Sequence, residues 1–206
     1  MERFATPPRF DWQQTVESQG MAYHTIDGQP YWDETAYYAF SPSEIDQLDI
    51  ATQELHEMCI KAAEHVITNR LYSRLMIPEQ AIGLIERSWE DDAPSILGRF
   101  DLAYDGHSPP KMLEYNADTP TALLEASVIQ WFWLQDRFPK ADQFNSIHEK
   151  LIAAWSDLKP LLKGRLYFSC VRDAPEDLGN IEYLRDTAMQ AGLETEQLFV
   201  EDIGYD

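Results

Sequence analysis

Two short runs of residues carry charged and amide side chains at spacings that suit phosphoryl chemistry. The runs 99–104 and 111–116 each alternate between two sets of side chains, which predicts two β-strands. Asp105-Gly106 and Ser108-Pro109-Pro110 are strong turn signals, so the two strands are predicted to form a hairpin. Because side chains alternate between the faces of a strand, one face carries a polar set: Arg99, Asp101, Glu114 and Asn116.

The register of this hairpin decides whether its two carboxylates meet. Pairing Tyr104 with Lys111 places Asp101 directly opposite Glu114, with their Cβ atoms about 5 Å apart. The same alternation places Met112 on the face of Glu114. Two carboxylates so close repel each other unless a positive charge lies between them. Together with an amide oxygen they form a hard oxygen ligand set, which suits Mg²⁺ beside substrate phosphates.

Arg99 and the segment after the hairpin add groups that bind anions. The Arg99 guanidinium, two residues from Asp101, can hold a phosphate or a carboxylate through two parallel hydrogen bonds. After the hairpin, Pro120 suits the first position of a helix, which predicts Thr119 as its N-cap. A helix N-terminus offers unpaired backbone donors to an anion. A metal site followed by an anion site favours a phosphoryl or acyl-phosphate reaction.

These motifs resemble those of the glutathionylspermidine synthase family, whose members are acid–amine ligases with an ATP-grasp fold. The resemblance rests on Arg-Phe-Asp-Leu at 99–102, Leu-Glu-Tyr-Asn-Ala-Asp-Thr-Pro-Thr at 113–121, and family-like stretches at 31–34 and 168–184. It implies a mixed α/β fold, in which a pre-ATP-grasp hairpin and helices precede a βαβ unit. The whole would belong to a circularly permuted ATP-grasp ligase, similar to glutathione synthetase ATP-binding domains.

The resemblance also implies roles for the residues of the hairpin. Its metal ligands would be Asp101, Glu114 and Asn116, which would bind Mg²⁺. The strand that contains Arg99, Phe100 and Asp101 would run beside ATP. Arg99 would act as the catalytic cation, because its family counterpart contacts the nucleotide or the reacting phosphoryl group.

Substrate-binding positions are implied further along the chain, at Thr119, Thr121 and Glu176. The implied cofactors are Mg²⁺ and ATP. The implied substrates are a glutathione-like peptide acid and a polyamine or another amine, joined through an acyl phosphate. The lysines and glycine-containing lid that hold ATP in the family have no counterpart here. We therefore expect this chain to be the N-terminal half of a ligase, inactive alone, whose partner is the missing C-terminal ATP-grasp half.

The amino-acid composition and net charge limit which partners and which cellular compartment we expect. The chain has 206 residues, of which 36 are acidic and 16 basic, for a net charge of −20. A field of that sign repels nucleic acid and anionic membranes, so we expect neither as a partner. No run is long enough to span a membrane. The N-terminus has no apolar signal core, and Cys59 and Cys170 belong to no paired motif, so the expected location is the cytoplasm.

Hydrophobic periodicity predicts the elements that must position these residues. A capping box at Ser41 and Glu44 starts a helix that runs to about Asn69, and a strongly apolar helix after Thr119 is predicted to be buried all round. A strand, a helix and a second strand after residue 164 form a predicted parallel βαβ unit. The predicted domains are 1–163, which carries the hairpin motif, and 164–206, the truncated start of a Rossmann-like domain.

Two other classes of function fit the same residues. One is a non-catalytic peptide- or partner-binding module derived from the ligase family. The other is a metal-dependent phosphohydrolase that uses the acidic hairpin. A two-metal phosphohydrolase needs bridging carboxylates or histidines, and the sequence shows no such cluster.

Overall fold

The computed structural model describes residues 1–204 and has a mixed α/β fold. The strands, in chain order, are β1 Glu2–Ala5, β2 Thr25–Ile26, β3 Gln29–Pro30, β4 Ala36–Ala39, β5 Arg99–Ala103, β6 Lys111–Asn116, β7 Leu166–Cys170 and β8 Thr195–Phe199. The α-helices are α1 Trp12–Ser18, α2 Pro42–Thr68, α3 Glu79–Glu90, α4 Gln130–Arg137, α5 Ile147–Leu158 and α6 Pro175–Gln190, and a π-helical segment covers Glu125–Ile129. None of the helices in residues 1–204 combines the length and apolar character needed to cross a membrane.

Backbone contacts divide the chain into two compact units. Unit 1 contains Met1 and Phe40–Asn116, and unit 2 contains Glu2–Ala39 and the residues from Ala117 onward. The predicted boundary between residues 163 and 164 lies elsewhere and stays a prediction. Its second domain, 164–206, also extends two residues beyond the described part of the chain.

Helix α2 begins in unit 1 as its sequence predicts. The Ser41 side chain accepts a hydrogen bond from the Glu44 backbone N–H, and the Glu44 side chain accepts one from the Ser41 backbone N–H. These reciprocal bonds satisfy donors that the first turn of a helix leaves unpaired, and Pro42 occupies the first turn. Glu44 also pairs with the N-terminal ammonium group of Met1. The predicted capping box is therefore confirmed.

Strands β5 and β6 form the predicted antiparallel hairpin, but its register changes once. Asp101 pairs with Glu114 as predicted, whereas Lys111 pairs with Ala103 and not with Tyr104. A β-bulge between Asp101 and Leu102 accounts for the difference, because Leu102 pairs with Met112. The expectation that Met112 shares a face with Glu114 is consequently wrong.

Unit 2 contains the predicted βαβ arrangement and most of the buried core. Strands β7 and β8 pair in parallel, from Leu166 with Thr195 to Cys170 with Phe199, and α6 connects them. The parallel pairing needs a crossover of this kind, because two parallel strands cannot be joined by a tight turn. The largest side chains with almost no exposed surface are Met21, Ile129, Val16 and Thr187.

The helix after the hairpin begins later than predicted. Thr119 is not its N-cap and Pro120 is not its first residue, because the helical segment starts at Leu123. Ala122 has a φ of 63°, a left-handed conformation that cannot continue a right-handed helix. The Asn180 side chain accepts a hydrogen bond from the Leu123 N–H at 2.9 Å, which supplies the cap from α6.

The apolar helix is buried on one side only. Leu123, Leu124, Trp133 and Leu134 are buried, but the rings of Trp131 and Phe132 are exposed, the latter at 46%. The prediction of burial all round is therefore wrong for α4.

Candidate functional site

The hairpin of unit 1 brings together the predicted metal and nucleotide residues. Asp101 lies directly opposite Glu114, and Arg99 lies opposite Asn116, two steps further along the same antiparallel ladder. Directly opposed residues on paired strands project from the same face. The hairpin therefore presents two carboxylates, one amide and one guanidinium together, and Phe100 lies between Arg99 and Asp101 on the other face.

Arg99 forms a two-pronged contact with Asp101 within β5. Its Nε donates to Asp101 Oδ1 at 2.8 Å, and its Nη2 donates to Oδ2 at 3.3 Å. The two side chains keep 33% and 42% of their surface exposed, so the pair is open to a ligand from solvent. The guanidinium compensates part of the negative charge that the opposed Asp101 and Glu114 create.

The donor set of the hairpin fits Mg²⁺ that also binds phosphate. Within residues 1–204, no group of three or more His, Cys, Asp or Glu side chains could hold a metal ion. The hairpin supplies two carboxylates, Asp101 and Glu114, and the amide oxygen of Asn116. Mg²⁺ is held in this way at phosphate sites, through one or two carboxylates while substrate phosphates and water complete its coordination.

The predicted substrate residues lie in unit 2. Thr119 and Thr121 fall in the irregular segment between β6 and Leu123, just before the helical segment. Glu176 lies in the first turn of α6. Thr119 is exposed, and Thr121 and Glu176 are partly exposed.

Unit 2 also contains an acidic cluster that the sequence analysis missed. Tyr31 Oη lies 2.9 Å from Glu125 Oε1, to which it donates, and 3.4 Å from Glu176 Oε1. Glu125 is only 6% exposed, and no basic side chain is paired with it among the salt bridges of the described residues. A buried carboxylate without a cation is costly, so this arrangement favours a positively charged ligand.

Two polar atoms in this cluster are buried without a hydrogen-bond partner among the described residues. They are Glu125 Oε2 and the Oη of Tyr23, whose ring meets the ring of Tyr31 edge to face with centroids 5.7 Å apart. Tyr23 packs so closely against α6 that a Cβ on Gly179 would lie 2.6 Å from its Cε1 atom. Glycine at residue 179 therefore makes room for the Tyr23 ring. In native proteins, buried polar atoms such as these are satisfied by ordered water or by a ligand.

The tyrosines of the cluster are held in their neutral form. Burial raises the pKa of Tyr23 above its usual value, and the negative charge of Glu125 raises it further. Burial also raises the pKa of Tyr31, and its hydrogen bond to Glu125 adds to the increase. Both phenols therefore remain hydrogen-bond donors at neutral pH.

Local backbone geometry places Glu125 in the cluster. Glu125 opens the π-helical segment Glu125–Ile129, a conformation that is rare and frequently found at functional sites. The Asn145 side chain donates to the carbonyl oxygens of Ala126 and Ser127, at 3.0 and 3.3 Å. These bonds satisfy carbonyl groups that a regular α-helix would pair within itself.

The acidic cluster escaped the sequence analysis because its members are far apart in the chain. The helical pattern placed Glu125 in an apolar helix without indicating a partner. Two members had separate sequence signals: the resemblance implied Glu176 as a substrate-binding residue, and the family-like stretch 31–34 contains Tyr31. Neither signal linked these residues to Glu125. Only the packing of 23–31 and α6 against the helical segment shows that the residues meet.

Comparison with known proteins identifies the relatives of this chain. The glutathionylspermidine synthase pre-ATP-grasp family matches residues 3–206. A Haemophilus influenzae protein, described by its name as a candidate acid–amine ligase, is 44% identical over an alignment of 206 positions that covers 97% of this chain and 52% of that protein. The bifunctional glutathionylspermidine synthetase/amidase of Escherichia coli is 27% identical over 99% of this chain and 34% of its own length. Trypanothione synthetase of Crithidia fasciculata is 31% identical over 68% of this chain and 22% of its own length. The chain thus spans about half, or less, of the relatives that it matches.

Proposed function

The chain belongs to the glutathionylspermidine synthase pre-ATP-grasp family, and we propose that it supplies the metal and substrate groups of an ATP- and Mg²⁺-dependent acid–amine ligase. The observation that carries this proposal is the pairing of Asp101 with Glu114, with Arg99 bonded to Asp101. The relatives named as ligases support the reaction class, and the oxygen ligand set supports Mg²⁺ with ATP.

In this mechanism the hairpin prepares the phosphoryl transfer. Asp101, Glu114 and Asn116 would hold Mg²⁺, which would neutralise negative charge on the phosphate oxygens. Arg99 exchanges its contact with Asp101 for the transferring phosphoryl group and stabilises its charge, as positioned cations do in phosphoryl transfer. The γ-phosphoryl group of ATP would pass to the substrate carboxylate, which gives an acyl phosphate and releases ADP. A neutral amine group would then attack the acyl carbon, which forms the amide and releases inorganic phosphate and a proton. Phe100 and its neighbours in β5, Arg99 and Asp101, would line the nucleotide.

The acidic cluster of unit 2 receives the amine. A protonated amine would compensate the buried charge of Glu125 and the partly exposed charge of Glu176, while Tyr31 keeps the Glu125 carboxylate oriented. The net charge of −20 attracts a polycation over a longer range. A polyamine is therefore the proposed amine class. The hydroxyl groups of Thr119 and Thr121 are proposed to bind the peptide acid.

We propose that this protein works in the cytoplasm. Cys59 and Cys170 are both free thiols, which suits a reducing compartment. Its proposed partner is the remainder of the ligase, which corresponds to the part of each relative that this chain does not match.

A chimaera tests the proposed function. Residues 1–206 of this chain would replace the matching part of the Haemophilus influenzae relative, and ADP release would be measured with Mg²⁺, a thiol peptide and a polyamine. We expect ADP release that needs both substrates and falls about 100-fold or more in Glu114→Ala, the scale of losing one preorganised electrostatic contact. We expect the 206-residue chain alone to release no more ADP than its own Glu114→Ala variant.

Three outcomes would count against parts of this proposal. A folded chimaera that binds peptide without releasing ADP would favour a peptide-binding module. ADP release that is insensitive to Glu114→Ala would exclude the hairpin as the metal site. Turnover by the 206-residue chain alone, clearly above its Glu114→Ala variant, would show that the chain is a complete ligase.

A further inference from the structure

We propose that Tyr115, anchored to His56 of α2, is a positioning residue that holds the hairpin in the register that brings Asp101 opposite Glu114. The inference rests on the proposed function in one respect, namely that this register serves to assemble the metal ligands. The evidence for the anchoring itself comes from the geometry of unit 1.

Tyr115 lies between two proposed metal ligands, Glu114 and Asn116, but on the opposite face of the strand. Its ring stacks on that of Phe100, its direct cross-strand partner, with ring centroids 4.0 Å apart and planes at 25°. Stacked aromatic pairs across a ladder stabilise the pairing of their strands. The stack therefore fixes the step of the ladder beside the step that pairs Asp101 with Glu114.

His56 holds the same ring from helix α2. Its Nδ1 lies 3.1 Å from Tyr115 Oη, and the two rings meet edge to face with centroids 6.1 Å apart. A single hydrogen bond thus links the ligand-bearing strand to a long helix with a complete capping box. The stack alone does not prevent a slip of the hairpin, because the Phe100 ring could move with β6. The hydrogen bond to His56 opposes movement of β6 itself.

Gly98, the residue before β5, leaves the space that the ring needs. A Cβ at this position would lie 2.8 Å from Tyr115 Cε2 and 3.1 Å from Tyr115 Oη. Real Cβ atoms do not approach neighbours so closely. Any other residue at 98 would push the ring away from its present position or shift the start of β5.

The bulge explains why such an anchor is needed. On one side of it Asp101 pairs with Glu114, while on the other side Leu102 pairs with Met112. If the second register extended through the hairpin, Asp101 would pair with Leu113 and the two carboxylates would no longer oppose each other. A one-residue slip moves every side chain of a strand to the other face. The Tyr115 anchor sits on the side of the bulge where the slip would destroy the ligand set.

The hairpin offers a matched control for the anchor. Tyr104 Oη donates to Gln47 Oε1 at 3.0 Å, so it also ties the hairpin to α2 through one hydrogen bond. Tyr104 lies beyond the bulge, away from the proposed ligands. A role in general stability would make Tyr104 and Tyr115 equivalent, whereas a positioning role distinguishes them.

The experiment compares four variants by NMR of the 206-residue chain: Tyr115→Ala, Tyr115→Phe, Tyr104→Ala and Tyr104→Phe. We expect the cross-strand proton contacts of Asp101 with Glu114 to disappear in Tyr115→Ala and to persist in Tyr104→Ala. Tyr115→Phe keeps the stack, so it should restore the register. It should still speed amide exchange at Asp101 and Glu114 about 2- to 12-fold, the loss of one hydrogen bond. Tyr104→Phe should leave exchange at these two residues unchanged.

The proposal is overturned if Tyr115→Ala keeps the Asp101–Glu114 contacts, or if both tyrosine positions change the hairpin equally. Loss of the unit 2 signals in Tyr115→Ala as well as the hairpin signals would also overturn it, because the effect would then be global. A second readout, broadening of the Glu114 and Asn116 signals by Mn²⁺ with ATP, connects the register to metal binding. If the wild-type chain shows no such broadening while the register behaves as expected, the metal assignment fails and the anchor stands.

Discussion

The two units of this chain hold their functional residues by different means. Among residues 1–204, Tyr72 is the only buried residue of unit 1, whereas unit 2 buries many apolar side chains and several polar ones. Helices α2 and α3 have no buried residue at all. The hairpin of unit 1 therefore depends on a few directional contacts, and the acidic cluster of unit 2 depends on a packed core.

This difference predicts where a substitution changes stability and where it changes geometry. Removing a side chain from a packed core leaves a cavity or an unpaired group, so the cost is large and global. Removing one directional contact from an open hairpin costs less, but it releases the register on which the proposed ligand set depends. The proposed metal site should therefore be lost through local changes that leave the rest of the chain folded.

The largest expected effect comes from the buried ion pair of unit 2. Arg9 Nη2 donates to Glu34 Oε1 at 2.5 Å, the Arg9 backbone N–H donates to Oε2 at 3.1 Å, and Trp32 Nε1 donates to Oε1 at 3.2 Å. Glu34→Ala removes the buried partner of Arg9 and leaves its guanidinium only the half-exposed Asp136, whose Oδ2 accepts from Arg9 Nη1 at 2.6 Å. We therefore expect the free energy of unfolding to fall by about 3 kcal/mol, the lower end of the cost of breaking a buried ion pair. Urea unfolding followed by tryptophan fluorescence measures the change.

An exposed ion pair of unit 1 provides the contrast. Lys61 and Glu57 lie 3.6 Å apart with 71% and 70% of their side-chain surfaces exposed. Lys61→Ala should lower the free energy of unfolding by no more than about 0.5 kcal/mol. Similar losses for Glu34→Ala and Lys61→Ala would contradict the contrast between the units.

The sequence predicted local features well and distant contacts poorly. The capping box at Ser41 and the pairing of Asp101 with Glu114 are confirmed because each depends on residue types within one or two adjacent elements. The bulge beside Asp101 had no signal, since no glycine or proline marks it. The helix start was misplaced because Ala122 is left-handed, and the cap of Leu123 comes from Asn180 in another element.

A medium effect is expected at the start of α2, where unit 1 relies on one cap. Ser41→Ala removes the acceptor for the Glu44 N–H, and the expected loss is about 1 kcal/mol of unfolding free energy. Ser156→Ala is a matched change on α5, where the exposed hydroxyl donates back to the Ile152 carbonyl. It should change the free energy by less than about 0.5 kcal/mol. Equal effects in urea unfolding would show that the cap contributes nothing specific.

The smallest expected effect is a shift in tyrosine titration in unit 2. Because burial and Glu125 raise the pKa values of Tyr23 and Tyr31, these phenols should stay neutral when ordinary tyrosines ionise near pH 10. The folded-state pKa values lie above the unfolded ones, so their contribution to stability is present below about pH 10 and is lost as the pH rises further. Absorbance at the phenolate band measures the titration.

Glu125→Gln sharpens this last prediction. It removes the negative charge but keeps most of the burial, so the pKa values of Tyr23 and Tyr31 should fall part of the way towards their ordinary values. Glu194→Gln, an exposed change elsewhere in unit 2, should leave the titration as it is. Ordinary titration of every tyrosine in the wild-type chain would contradict the buried cluster.

The most direct test of the central claim is to map Mn²⁺ with ATP on the 206-residue chain by paramagnetic broadening of its NMR signals. Mn²⁺ substitutes for Mg²⁺ at oxygen sites, and mapping distinguishes one site from general attraction to an acidic surface. We predict the strongest broadening at Asp101, Glu114 and Asn116. It should be lost in Asp101→Asn and kept in Glu90→Gln, an exposed carboxylate change on α3. Strongest broadening elsewhere, or broadening of the hairpin that survives Asp101→Asn, would contradict the claim that this hairpin is the metal site.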